Sequence, residues 1–147
     1  MIVPVLRDIS LVGVKDNINE FIDDDFSIDD FIMAAVAEIT DKNSLGADCF
    51  YFRIVTPKRL NKLLSLDKIL FGQALYIVNE KDMLSNIKLI KENINSFLPS
   101  CARETWEEVA LAVNCYLNWE YYDPACGICQ FYLDTKKKLE DGTLYKK

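Results

Sequence analysis

Histidine is absent from this sequence of 147 residues. Its absence excludes serine and cysteine nucleophiles activated by an imidazole base, zinc sites of the H-E-x-x-H type, and every histidine general base. Glycine is scarce as well: the five glycines, at positions 13, 46, 72, 127 and 142, never cluster. A loop that cradles phosphates needs several glycines within a few residues, so nucleotide-binding loops of the Walker and dinucleotide types are excluded.

Long apolar runs are also missing. No uncharged stretch is longer than that of residues 69–79, which 109–119 equals, and both are well short of the roughly 20 residues that a membrane-spanning helix needs. The first residues carry neither a basic segment nor a small-residue cleavage site, so we expect no secretory signal. The cysteines number five, and an odd number without export favours free thiols in a reducing cytoplasm. We therefore predict a cytoplasmic protein that does not enter a membrane.

Basic residues are too few to balance the acidic ones. There are 17 Lys and Arg against 23 Asp and Glu, which gives a net charge of −6. Such a surface repels phosphate backbones and anionic lipids, so direct binding to nucleic acid or to a membrane surface is not expected.

The acidic excess is concentrated between residues 16 and 30, where acids occur without a single base. They are Asp16, Glu20, Asp23, Asp24, Asp25, Asp29 and Asp30. A calcium loop would need glycine in place of Ile28 and glutamate in place of Ala34, so no calcium site is expected. Two interpretations remain, a solvated acidic surface or a negative patch for a basic protein partner. The apolar residues expected to pin this segment to the body are Phe21, Ile22, Phe26 and Ile28.

Half of the residues are apolar, enough for the core of a single domain over residues 1–147. We predict strands at residues 2–14, 31–40, 49–55 and 73–78. The second stretch is ambiguous, because its alanines favour a helix while the alternation from Phe31 to Ile39 favours a strand, which we choose. The compact apolar run at 73–78 predicts a central strand.

Helices are predicted after residue 56. Thr56 and Pro57 begin the first helix, with Leu60, Leu63 and Leu64 as its buried side. The next has Asp82 as its N-cap and ends at Pro99, and its apolar stripe consists of Met83, Ile87, Ile90, Ile94 and Phe97.

Two further helices complete the predicted fold. A capping box of Thr105 and Glu108 begins the third, whose buried stripe is Trp106, Val109, Ala110, Val113 and Leu117. Asp123 and Pro124 begin a C-terminal helix that Gly142 ends. Strands early and helices late predict an α+β fold, with a mostly antiparallel sheet, helices packed on one face and a helix-rich C-terminal half.

Cys126 and Cys129 have the C-x-x-C spacing of redox and metal sites. A thioredoxin-like site would follow a strand of a βαβ unit, whereas this pair follows a helix. A zinc site would need a second close pair of ligands, which the sequence lacks. We predict structural cysteines, with no metal and no cofactor, and keep a thiol or metal-binding protein as the alternative.

Carboxylate pairs such as Glu107 with Glu108, or Glu120 with Asp123, resemble acid–base pairs. Such neighbours are expected by chance in a sequence this acidic, and nothing marks a raised pKa. We therefore predict no catalytic residues and no enzyme.

The most distinctive stretch interleaves aromatic and acidic residues from Trp119 to Asp123. Trp and Tyr carry polar ends that need hydrogen bonds when buried, and they also dominate interface hot spots. Trp119, Glu120 and Tyr121 are therefore either a cluster that closes the core or part of a recognition patch.

The segment from Phe50 to Leu60 resembles the F-x-F-x-[IV]-x-[ST]-P-x-x-L pattern of immunity protein family eight of bacterial polymorphic toxin systems. Members of that family tend to carry a Trp-Glu helix start followed about a dozen residues later by Trp-Glu-Tyr. This chain has both, at Trp106 and at Trp119. The resemblance covers roughly residues 5–123, an immunity-like core, and leaves 124–147 as a C-terminal extension expected to be helical.

The resemblance implies a protein that binds and neutralises a cognate protein toxin. Many toxins of such systems are nucleases with basic clefts, so a basic nuclease is one candidate partner. The hypothesis is steric and electrostatic occlusion, in which Asp23, Asp24, Asp25, Asp29 and Asp30 steer the partner and Trp119, Glu120 and Tyr121 are core or anchor. A structural subunit of a larger assembly is a further alternative, which an adjacent toxin reading frame would argue against.

Overall fold

Three long strands form the body of a sheet in the computed structural model, which describes residues 1–142. They are β1 (Pro4–Leu11), β2 (Ile32–Asp41) and β3 (Asp48–Val55), and each pairs antiparallel with the next. Two short strands lie along the free edge of β3, β4 (Leu75–Ile77) in parallel and β5 (Asn118–Trp119) antiparallel. The α+β prediction is confirmed.

The strand prediction for residues 31–40 is confirmed, and cross-strand packing explains it. Ala35 pairs with Phe52 and Ala37 with Phe50, so each small side chain lies opposite a large one. All four are buried. The alanines that favoured a helix by propensity are the residues that leave room for the phenylalanines in a sheet.

Four helices and a small hairpin complete the described fold. The helices are α1 (Pro57–Asp67), α2 (Met83–Phe97), α3 (Trp106–Val113) and α4 (Gln130–Glu140), with a short 3-10 helix at Leu98–Cys101 between α2 and α3. The hairpin pairs β6 (Tyr122–Asp123) with β7 (Gly127–Ile128). Residues 143–147 of the predicted extension lie outside the described residues. No helix within residues 1–142 combines the length and apolar character needed to cross a membrane.

One apolar core joins the sheet to α2 and α3. The buried face of the sheet contributes residues such as Phe50 and Ile54, and the two helices contribute Ile90, Ile94 and Val113. The opposite face is more open: Ala34 and Tyr51 are exposed there. The sheet therefore presents one face to the core and leaves the other accessible.

Two predicted caps are confirmed. The Ser85 backbone N–H donates to Asp82 Oδ1 at 2.7 Å, and the Glu108 N–H donates to Thr105 Oγ1 at 3.2 Å. The Thr105 hydroxyl in turn donates to Glu108 Oε1 at 2.8 Å. The Glu108 side chain therefore bonds to the side chain of Thr105, whereas in a standard capping box it bonds to the backbone N–H of the N-cap residue. Thr56 lies at the N-cap position of α1 but makes no side-chain cap bond, because its hydroxyl is engaged with the backbone of Phe31.

Three sequence predictions are wrong. No residue of α1 is buried, so its leucines form no buried side. Strand β4 is a three-residue edge strand with Ile77 56% exposed, and not a central strand. The C-terminal helix begins at Gln130 because the chain after Asp123 first forms the β6–β7 hairpin, whose Gly127 has φ +87°.

Candidate functional site

The acidic segment connects β1 to β2 and is held by aromatic contacts. Phe21 and Phe26 stack with ring centroids 3.6 Å apart, and Phe26 contacts Phe31 at 5.1 Å. Both therefore pin the segment, as predicted. Ile22 does not, since it is 60% exposed.

A groove of about 360 Å³ lies between this segment and the ends of β1 and β2. Its lining contains three carboxylates, those of Asp23, Asp25 and Asp30, and one cation, Arg59, while Val12 and Ile22 add exposed apolar surface. A concave surface that combines carboxylates with exposed aliphatic side chains is suited to a basic protein segment with an apolar contact.

Asp29 and Asp30 have basic partners within the chain. Lys62 and Arg59 of α1 both bind Asp30, Arg59 through its Nε at 2.7 Å from Oδ1, and they hold the pKa of Asp30 below its ordinary value. Asp29 accepts a hydrogen bond from Ser27 and lies 3.8 Å from Lys58, and these two contacts lower its pKa.

Asp23, Asp24 and Asp25 differ from that pair. All three are exposed, and no ion pair within residues 1–142 involves them. The backbone N–H of Asp25 donates to Asp23 Oδ1 at 2.9 Å, which orders the turn and leaves the charge in place. Of the five predicted partner-binding aspartates of the segment, the three in this turn are therefore the ones whose charge no base compensates within residues 1–142.

The Trp-Glu-Tyr stretch lies in and beside the core. Trp119 is 3% exposed, and its indole N–H donates to Asp48 Oδ2 at 3.0 Å. Glu120 Oε1 accepts from the Cys49 backbone N–H at 2.9 Å and extends the pairing of β5 with β3, while burial raises the pKa of Glu120. Tyr121 is half-buried against Trp119, with ring centroids 5.8 Å apart. The geometry favours the core interpretation for Trp119.

The structure does not bring the two predicted groups together. The acidic segment enters β2 at Ile32, which pairs with Val55 at the end of β3, whereas Glu120 bonds to Cys49 at its beginning. The two groups are separated by nearly the length of β3, roughly 20 Å.

The chain matches one known protein family over most of its length. The model of the family described as Immunity protein 8 matches residues 5–123, well over half of the sequence. The chain belongs to this family. Membership implies an immunity protein that binds a toxin, and it confirms the resemblance drawn from the aromatic motifs. No curated protein and no solved structure matches the chain significantly.

Helix α4 lies beyond the Immunity protein 8 match yet packs on the family motifs. Tyr132 contacts Trp119 and Tyr121, with centroids 5.3 and 4.9 Å apart, and its hydroxyl donates to Glu107 Oε1 at 3.1 Å. Lys136 forms an ion pair with the same carboxylate. Side chains of the C-terminal extension therefore cover the family motifs of this immunity protein.

The C-x-x-C pair lies on the hairpin before α4. Both thiols are free, and within residues 1–142 no three His, Cys, Asp or Glu side chains group as a metal site. Loss of solvent and the neighbouring Asp123 carboxylate raise the pKa of Cys126. A reactive redox thiol has a lowered pKa, so nothing here favours the thiol alternative.

The counter-charges of the site were not among the residues predicted from the sequence. Lys58, Arg59 and Lys62 are the three bases of α1, and each pairs with Asp29 or Asp30. A signal was present, since an acidic run without a base requires cations from elsewhere and α1 concentrates three of them. Asp48, which accepts a second indole N–H from Trp106 at 2.8 Å, was not predicted either.

Proposed function

We propose that this immunity protein acts in the bacterial cytoplasm and neutralises a basic cognate toxin, such as a nuclease, by occluding it without any chemical step. The observation that carries the proposal is the groove lined by Asp23 and Asp25, whose charges, like that of the neighbouring Asp24, have no basic partner within residues 1–142. Membership of the Immunity protein 8 family supports the partner class.

In this mechanism, electrostatic attraction raises the rate of association and selects the partner. A toxin cleft built for a phosphate backbone presents Lys and Arg, and an acidic surface competes for those same groups. Complementary charges raise the association rate, and like charges exclude wrong partners. Once docked, the bulk of the immunity protein blocks the cleft.

Apolar contacts would then prolong the complex. Val12 and Ile22 are 59% and 60% exposed beside the carboxylates, so a partner can bury them without moving the core. Burial of such side chains slows dissociation, whereas rim charges mainly change association. Asp30 also lines the groove, and Asp29 precedes it in the chain; α1 already binds both of them.

The Trp-Glu-Tyr stretch is assigned a supporting role in this proposal. Trp119 and Glu120 fix β5 against β3, and the half-buried Tyr121 lines a second groove of about 330 Å³ beside α4. A contact to the partner through Tyr121 would therefore be separate from the acidic groove.

The experiment compares two variants of equal net charge against the toxin whose reading frame adjoins that of this chain. Asp23→Asn, Asp24→Asn and Asp25→Asn are combined in one variant, and the exposed Glu80→Gln, Glu92→Gln and Glu140→Gln in the control. Stopped-flow association at low salt should slow by about tenfold for the first variant, with a flatter salt dependence, and change little for the control. Equal rates for the two variants would refute the role of the groove, and absence of any complex would refute the immunity proposal itself.

A further inference from the structure

The outward face of the sheet is covered at its two ends and open between them. Because side chains alternate between the two faces of a strand, Thr40 of β2 and Val55 of β3 point away from the core, yet both are buried. Between these ends Ala34 is exposed and Tyr51 is 46% exposed. We call this area the open sheet face, and it consists of Ser10, Ala34, Val36, Tyr51 and Asn118.

The side chain of Tyr51 lies at the centre of this face and has no partner of its own. Its register neighbours are Val36 on β2 and Asn118 on β5, both shorter side chains. Within residues 1–142 its ring stacks on no other ring and its hydroxyl makes no hydrogen bond. Tyrosine is enriched among interface hot spots, since it offers a rigid aromatic surface and a polar end. Tyr51 is therefore available to a binding partner.

A row of carboxylates crosses the same side of the sheet two residues from Tyr51. Asp8 pairs with Glu38 and Glu38 with Cys49, while the backbone N–H of Glu120 donates to the Cys49 carbonyl at 3.0 Å. Neighbouring strands lie about 4.8 Å apart, so the row from Asp8 to Glu120 is about 14 Å long.

The charges of this row are not compensated by the protein. Asp8, Glu38 and Glu120 form no ion pair within residues 1–142. Arg7 of β1 and Arg53 of β3 instead donate to backbone carbonyls elsewhere, and β2 carries no base. Like charges directly opposite each other on a sheet are destabilising. A cation from another molecule therefore relieves a repulsion and displaces no existing ion pair.

The open sheet face is also continuous with the acidic groove. Ala34 belongs to the face and lines the groove, where Val12 adds apolar surface that is 59% exposed. A partner that presents Lys or Arg beside an apolar patch thus meets complementary groups on both parts of one surface.

We propose that the interface with the basic toxin extends from the groove across the open sheet face, with Tyr51 as its anchor and Asp8, Glu38 and Glu120 as acceptors for Lys and Arg. The identity of the partner rests on the proposed function. The surface itself rests on the register, exposure and charge of this chain.

The anchor is tested by titration calorimetry with the toxin whose reading frame adjoins that of this chain. Tyr51→Ala should weaken Kd by about tenfold or more, as at other aromatic hot spots. The control is Tyr116→Ala, since Tyr116 is also 46% exposed but stacks on Phe97 of α2. A complex in which both variants bind as tightly as the wild type would overturn the anchor.

The carboxylate row is tested with a variant that should not lose stability. Asp8→Asn with Glu38→Gln removes the opposed charges and keeps the acceptor for the Ile9 N–H. Association with the toxin at low salt should slow by about fivefold, whereas Glu80→Gln with Glu92→Gln, of equal charge and also exposed, should change it little. Equal rates for the two variants would overturn the role of the row.

A measurement without the toxin separates this proposal from the immunity proposal. Heteronuclear NMR of the labelled protein at low salt follows its amides during titration with a nona-arginine peptide, with a Gly-Ser peptide of equal length as control. The arginine peptide should shift the amides of Val36, Tyr51 and Asn118, and these shifts should persist when Asp23, Asp24 and Asp25 are replaced by Asn and fall when Asp8 and Glu38 are neutralised. Shifts confined to residues 23–30, or none at all, would overturn the open sheet face as a basic docking surface, whereas failure of the wild type to bind the toxin would refute only the proposed function.

Discussion

Trp106 and Trp119 donate their indole N–H groups to a single oxygen, Oδ2 of Asp48, at 2.8 and 3.0 Å. Asp48 begins β3, Trp106 begins α3 and Trp119 ends β5. One carboxylate thus joins the sheet to the two tryptophans of the family motifs, and the spacing of the motifs lets both indoles reach this one acceptor.

Asp48→Ala should destabilise the fold by about 2–4 kcal/mol, because two N–H donors lose their acceptor and one belongs to a buried indole. Asp48→Asn keeps an oxygen and should cost about half as much. Urea unfolding followed by tryptophan fluorescence measures both, since the chain has two tryptophans. The exposed Asp67→Ala is the control, and an equal cost for Asp48→Ala and the control would contradict the role of the shared acceptor.

For Glu120 we expect the opposite effect of a substitution on stability, because burial disfavours the ionised form of its carboxyl group. Burial raises the pKa of Glu120 above 4.5 despite its bond to the Cys49 N–H. The folded state therefore gains stability relative to the unfolded state as pH falls through that raised pKa. Glu120→Gln keeps the acceptor and should stabilise the protein at pH 7 by less than about 1 kcal/mol.

The control for this prediction is Glu120→Ala, which leaves the Cys49 N–H without its acceptor and should cost about 1 kcal/mol. Thermal unfolding at pH 7 and pH 4 measures the three proteins. The advantage of glutamine should shrink at the lower pH, and an advantage that grows on acidification would contradict the assignment.

The strands and helix starts were predictable because their signals are local. The alternation through β2 and β3 requires only knowledge of which side chains are apolar, and Asp82 and Thr105 cap helices within three residues of their own position. The apolar spacing of α1 is equally regular, yet its leucines are at most half-buried. Periodicity tells which face of a helix is apolar and not whether a neighbouring element covers it.

The site was predictable only in its charge. The acidic segment and its exposed turn follow from composition, but Arg59 is 29 residues from Asp30, and Trp119 is 71 residues from Asp48. Such pairs depend on the register of strands and on the path of the chain between them. Neither the register nor the path of the chain can be read from local sequence patterns.

Cys126 should be a slow nucleophile. Loss of solvent and the Asp123 carboxylate raise its pKa, so less thiolate is present at pH 8 than for an ordinary thiol. Alkylation by iodoacetamide, followed by peptide mass spectrometry, should be slower at Cys126 than at a Cys in an unstructured peptide. Asp123→Asn, which keeps the acceptor for the Ala125 N–H, should accelerate it by about threefold. Alkylation of Cys126 faster than the peptide would revive the thiol alternative.

The docking of α4 should weaken in acid through Glu107. Burial alone would raise the pKa of Glu107, but the hydrogen bonds from Lys136 and Tyr132 outweigh it, and the pKa lies below the ordinary 4.5. A lowered pKa gives stability that is complete above about pH 4.5 and is lost as pH falls through the folded value. Glu107→Gln should therefore cost about 1 kcal/mol at pH 7 and nothing relative to wild type near pH 2. Chemical denaturation of both proteins across this range measures the difference, with Glu140→Gln on α4 as the control, and a cost independent of pH would contradict the ion pair as its source.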